Sequence, residues 1–77
     1  MEEKLIKNLT EVKINTRGII YKIDTKDATR IRKLASLGIM PAADVIVIQK
    51  YPSILIQIGF TQIALDHNIA KSILVKV

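Results

Sequence analysis

The sequence predicts a mainly β domain, a small closed or half-closed barrel of about five short strands with one amphipathic helix. Three observations carry that expectation. The chain has 77 residues, enough for one domain and one modest core. Its apolar residues are aliphatic and largely β-branched, with 15 Ile and 5 Val against only 3 aromatics. Several short runs are apolar on both faces, and an open sheet would leave one of those faces in water. Closure into a barrel hides both faces and removes aggregation-prone edges.

The elements follow in order. Residues 1–8 are charged, with Leu5 and Ile6 at mixed spacing, and read as a helical turn or a loose arm. The domain proper is expected over residues 9–77. Arg17 to Ile23 alternates as a strand, with Ile19, Tyr21 and Ile23 expected on the apolar face. Residues 27–37 form the one strong helix. Asp27 (or Thr25) caps its free amides, and Ala28, Ile31, Leu34 and Ala35 recur at helical steps. Arg30, Arg32 and Lys33 fall away from that stripe. Gly38 ends the helix in the left-handed conformation and Pro41 prevents its resumption.

Asp44 to Lys50 reads as a strand buried on both sides, Tyr51-Pro52-Ser53 as a turn, and Ile54 to Ile58 as the next strand. Gly59-Phe60-Thr61-Gln62 turns again into a short strand at Ile63-Ala64-Leu65. A short helical turn is expected near 66–70, and Ser72 to Val77 closes the barrel.

The chemistry-bearing residues are few. Cys is absent, which excludes disulfides, thiolate metal sites and a Cys nucleophile, and suits a reducing, cytoplasmic compartment. His67 is the single histidine; no serine elbow and no Gly-rich phosphate loop accompanies it. The carboxylates form no spaced acid–base pair, so the chain reads as a non-enzyme. Asp66 and His67 could lend a carboxylate and an imidazole to a metal, but a transition-metal site wants three or four ligands, and the rest would have to converge from Asp44, Glu11 or Glu2-Glu3. The longest uncharged stretch, Tyr51 to Leu65, is shorter than the ~20 apolar residues of a membrane span, so no membrane insertion is expected.

Residues 1–33 hold nine of the twelve basic residues. The net charge of +5 invites a nucleic-acid reading, but Tyr21, Tyr51 and Phe60 are too few to stack on bases. The basic cluster at Arg30, Arg32 and Lys33 suits a solvated helix face or attraction to an acidic partner. The loop Leu37-Gly38-Ile39-Met40-Pro41 places apolar side chains after the helix, either roofing the core or forming a patch for a partner.

Leu34-Ala35-Ser36-Leu37-Gly38-Ile39-Met40-Pro41, followed by Val45-Ile46-Val47-Ile48, resembles the helix-end and strand signature of the FeoA family. The likeness continues through Gly59-Phe60-Thr61-Gln62-Ile63-Ala64-Leu65 and Ala70-Lys71-Ser72-Ile73-Leu74-Val75. Upstream, Leu9-Thr10-Glu11-Val12 and Gly18-Ile19-Ile20 look like the family's opening segment. The resemblance implies an SH3-like barrel and a cytoplasmic accessory protein of ferrous-iron transport. Its implied partner is the ferrous-iron permease, FeoB, with its cytoplasmic GTP-binding domain, which would hold the protein at the inner membrane. The patch expected to face that partner is Leu37, Gly38, Ile39, Met40 and Pro41 with Arg30, Arg32 and Lys33. The same barrel ends some DtxR-type metal-dependent repressors. That relation implies a second reading, a regulatory or oligomerisation domain binding a transition metal ion (iron, manganese or zinc), with Asp66 and His67 as weak ligands. No cofactor is required by either reading. The sequence departs from the family at Ala42, where glycine is usual after the loop proline, and at Asn15, which replaces an early glycine. Its hairpin at 50–54 is also shorter than the family's.

Overall fold

A computed structural model describes residues 5–77. Strands β1 (Ile6–Asn8) and β2 (Arg17–Ile23) precede helix α1 (Ala28–Ser36). Strands β3 (Asp44–Gln49), β4 (Ile54–Ile58) and β5 (Thr61–Leu65) follow, then helix α2 (His67–Lys71) and strand β6 (Ile73–Lys76). The six strands form one antiparallel sheet in the order β1-β6-β2-β3-β4-β5, the half-closed form of the expected barrel.

The count is six rather than about five because β1 is a strand, where a helical turn or arm was expected. Three residues are too few to show periodicity; pairing decides them. Ile6, Lys7 and Asn8 face Lys76, Val75 and Leu74. Leu5 exchanges both backbone bonds with Val77, at 3.2 and 2.9 Å, and continues the ladder outward. The first four residues of the expected arm lie outside the described residues.

The apolar face expected for β2 is corrected. Ile19 and Tyr21 are exposed, while Gly18, Ile20 and Ile23 are buried. A bulge explains the switch. Ile20 faces Val75 and Lys22 faces Leu74, so Tyr21 is an extra residue that inverts the alternation and turns Ile23 inward. A second bulge stands at Ile48, between the Val47–Ile56 and Gln49–Leu55 pairs. In β3 the inward residues are Val45 and Val47; Ile46 and Ile48 are half-buried rather than sealed on a second face.

The core is aliphatic throughout. Leu9, Ile20, Ile39, Ile54, Ile56, Ile73, Val47 and Val75 are its largest fully buried side chains, and no polar side chain is buried among the described residues. The hairpin between β4 and β5 is tighter than expected. Ile58 and Thr61 pair directly across Gly59-Phe60, and Gly59 takes φ +57. Phe60 stands fully exposed at its tip.

The two edges of the sheet are β1 and β5. In an antiparallel ladder, residues alternate between those bonded to the neighbour and those facing away. On β1 the Leu5–Val77 exchange makes Lys7 the next bonded residue and turns Ile6 and Asn8 outward. Asn8 is closed off by its own chain: its N–H donates to Glu11 Oε1 at 3.2 Å and its carbonyl accepts from Glu11 N–H at 3.0 Å. On β5 the tight hairpin makes Ile58–Thr61 a bonded pair, so Ile63 and Leu65 also bond to β4. Gln62 and Ala64 therefore turn their backbone groups away from the sheet, and both residues are exposed.

Candidate functional site

Helix α1 forms where the sequence places its start and stop signals. The Asp27 carboxylate accepts from Thr29 N–H at 3.0 Å and Arg30 N–H at 3.2 Å. At the other end Gly38, at φ +92, donates its N–H to Ala35 O, and Ile39 donates to Leu34 O, both at 2.9 Å. This pair of bonds is a Schellman motif, and it brings Ile39 back against Leu34. Both are buried, and Leu34 is the one buried residue of the nine-residue helix. The helix is thus pinned at its C-terminal end and stands off the sheet elsewhere.

The loop then makes a second turn. Ala43 N–H donates to Met40 O, with Pro41 and Ala42 between them and Ala42 at φ +77. Proline followed by a positive φ is the pattern of a type II turn, whose second central position prefers glycine. The glycine-favouring backbone expected at Ala42 is present, with alanine occupying it. Asn15, at φ +67, likewise adopts the left-handed conformation expected of it. Ala42 N–H donates to Ile20 O at 2.8 Å and Ile20 N–H to Ala43 O at 2.9 Å, fixing the turn to β2.

These two turns sort the expected patch. Ile39 is fully buried and belongs to the core, correcting its place among the partner-facing residues. Leu37 and Met40 are nearly half exposed, at 48% and 44%, and Pro41 is exposed. The loop is therefore both roof and surface, residue by residue.

Beside it lies a groove of about 420 Å³ between α1, β5 and α2. Leu34, Leu37, Ile63, Leu65 and Ile69 give it an apolar lining. Arg30 and Lys33, one turn apart on α1, supply two cations, and Asp27 lies at the helix start with its carboxylate engaged in the cap. Arg32 is exposed but lies outside the groove. Neither Arg30 nor Lys33 has an ion-pair partner among the described residues, where Lys22–Asp24 at 4.0 Å is the one pair. The β5 and α2 walls were read in sequence only as strand and turn. The one local signal was Ala64, a small residue interrupting an Ile/Leu strand.

Asp66 and His67 do not assemble a metal site. The Asp66 carboxylate caps α2, accepting from Ile69 N–H at 2.8 Å. His67 is exposed with its ring 6.2 Å from that of Tyr51. No group of three His, Asp or Glu side chains converges among the described residues. Their donor set does not fit a transition-metal site of three or four ligands.

The molecule is a small SH3-like barrel with an apolar, cation-lined groove beside an edge of its sheet. The FeoA domain model matches residues 7–77, and the chain belongs to the FeoA family. The chain is similar to a crystal structure of an iron uptake regulatory protein, FeoA, at 26% identity and TM-score 0.84, over 94% of this chain and 97% of that one. It is similar to Stenotrophomonas maltophilia FeoA, a prokaryotic SH3 domain protein solved with zinc, at 28% identity and TM-score 0.77, over 88% and 87% of the two chains. The fold also recurs in T. acidophilum IdeR, at 19% identity and TM-score 0.86, over all of this chain and 36% of that one. No curated protein matches the chain. No helix among the described residues is long and apolar enough to cross a membrane.

Proposed function

We propose that this chain is a non-catalytic accessory protein of ferrous-iron uptake, acting by contact with the ferrous-iron permease and its cytoplasmic GTP-binding domain. Membership of the FeoA family supports the transport assignment. The observation that carries the contact is the groove: an apolar lining beside the exposed Leu37, with the unpaired cations Arg30 and Lys33. Such a surface buries apolar area on docking and steers an acidic partner by charge. On this reading the protein works in the cytoplasm, at the membrane only through the permease.

The test is an NMR amide-shift titration of the labelled protein with the GTP-binding domain of the organism's ferrous-iron permease. Shifts clustered on α1, Leu37 and Met40 are expected. An unchanged spectrum at high partner concentration overturns the proposed contact. Met40→Asp should weaken that contact while the circular dichroism spectrum stays native, because Met40 lies at the surface.

A further inference from the structure

We propose that the groove takes an extended segment of a partner protein, apolar residues alternating with carboxylates, which adds to the sheet along β5. The inference rests on the reading of this domain as a protein-docking module and names the chemistry of what docks.

Three observations converge on it. The outer edge of β5 presents the backbone N–H and C=O groups of Gln62 and Ala64, and among the described residues neither makes a turn, loop or cap bond. Unpaired strand groups are a template for a further strand. Ala64 itself lines the groove, between Ile63 and Leu65, and has the smallest side chain there. The added strand would set alternate side chains against the apolar lining, the period of two that a strand imposes. Charge then selects the occupant. Among the described residues Arg30 and Lys33 border the groove without an ion-pair partner, and the one carboxylate lining it, Asp27, is held in the α1 cap. A second copy of this chain, at net charge +5, brings the wrong sign. An acidic segment brings the right one.

The recognition is mostly backbone, so it should be tolerant of side-chain identity and intolerant of lost amide protons. The probe is a capped hexapeptide alternating Glu and Val, titrated into the full chain and followed by NMR shifts and amide exchange. Exchange at Gln62 or Ala64 should slow by about tenfold or more at saturation, the effect of one added hydrogen bond. Two further versions carry N-methyl groups at alternate residues, in one phase or the other. One phase should bind about tenfold more weakly and the other close to the parent. Binding should also weaken with added salt and in Lys33→Glu, an exposed substitution that leaves the fold intact. Ala64→Pro, which removes an outward N–H, should abolish the protection.

Equal binding of both methylated phases overturns strand addition, as does absence of shifts at millimolar peptide. Concentration-dependent shifts at Gln62 and Ala64 in the free protein overturn the acidic occupant in favour of a second copy. The permease-domain titration fails separately. Shifts there without protection at Gln62 and Ala64 overturn strand addition alone, and peptide binding beside an inert permease domain overturns the permease contact alone.

Discussion

Along β1 the outward groups of Asn8 are consumed by Glu11, and the Asn8 side chain in turn accepts from the Thr10 amide and hydroxyl. Along β5 the equivalent groups of Gln62 and Ala64 have no such bond among the described residues. Small β domains generally blunt their edges against unwanted pairing. Here one edge is closed at Asn8 by the residues that follow it, and the other has no such closure among the described residues and lies beside an apolar groove. On the strand addition proposed above, the difference would place docking on the β5 side of the molecule.

Five substitutions break or sharpen that contrast. The largest effect is expected from Leu34→Ala, which removes the anchor of α1 and should cost about 3 kcal/mol in urea unfolding. Peptide affinity for the groove should fall with it, since α1 is one of the walls. Next is a pair of prolines. Lys7→Pro removes an amide that bonds to β6 and leaves the Val75 carbonyl unpaired, at a cost of about 2 kcal/mol. Ala64→Pro removes an amide that bonds to nothing, and should cost under about 1 kcal/mol by the same measurement. Equal costs at the two edges would mean that the β5 edge is not open. Ala42→Gly relieves the left-handed alanine of the type II turn and should stabilise by about 1 kcal/mol. Amide exchange at Gln62 and Asn8 should be unequal to the same degree before and after it. The smallest effect belongs to Glu11→Ala, about 0.5 kcal/mol, with faster exchange of the Asn8 amide as its more sensitive signature.

Much of this architecture is legible in the sequence, and the reasons differ by element. Helix α1 and its stop are legible because Asp27, Gly38 and Pro41 act locally. So are the left-handed positions Asn15 and Ala42, which the family resemblance marks as glycine sites. Strand β1 is not legible, because its three residues are ordered only by a partner some seventy positions downstream. The inward face of β2 is misread because one bulge reverses the alternation midway. At the site, Arg30, Lys33 and Leu37 are legible as an exposed surface on α1. The groove is not, because its other walls, Ile63 to Leu65 and Ile69, come from elements that the fold alone sets beside α1. Ile39 carries a signal that sorts it inward: a glycine-ended helix packs the residue after the glycine against the last turn, here Leu34.

The strand order carries a consequence in time. β6 lies between β1 and β2, bonded to both, so the segment made last fills the gap between the two made first. Until residues 73–76 arrive, β1 has no neighbour and β2 has one open side. During synthesis β1 must therefore wait unpaired, and β2 paired on one side only, until residues 73–76 have emerged. Such long-range closure makes folding slow for the domain's size. It also leaves strand edges exposed until β6 emerges, the condition under which nascent chains are prone to aggregate.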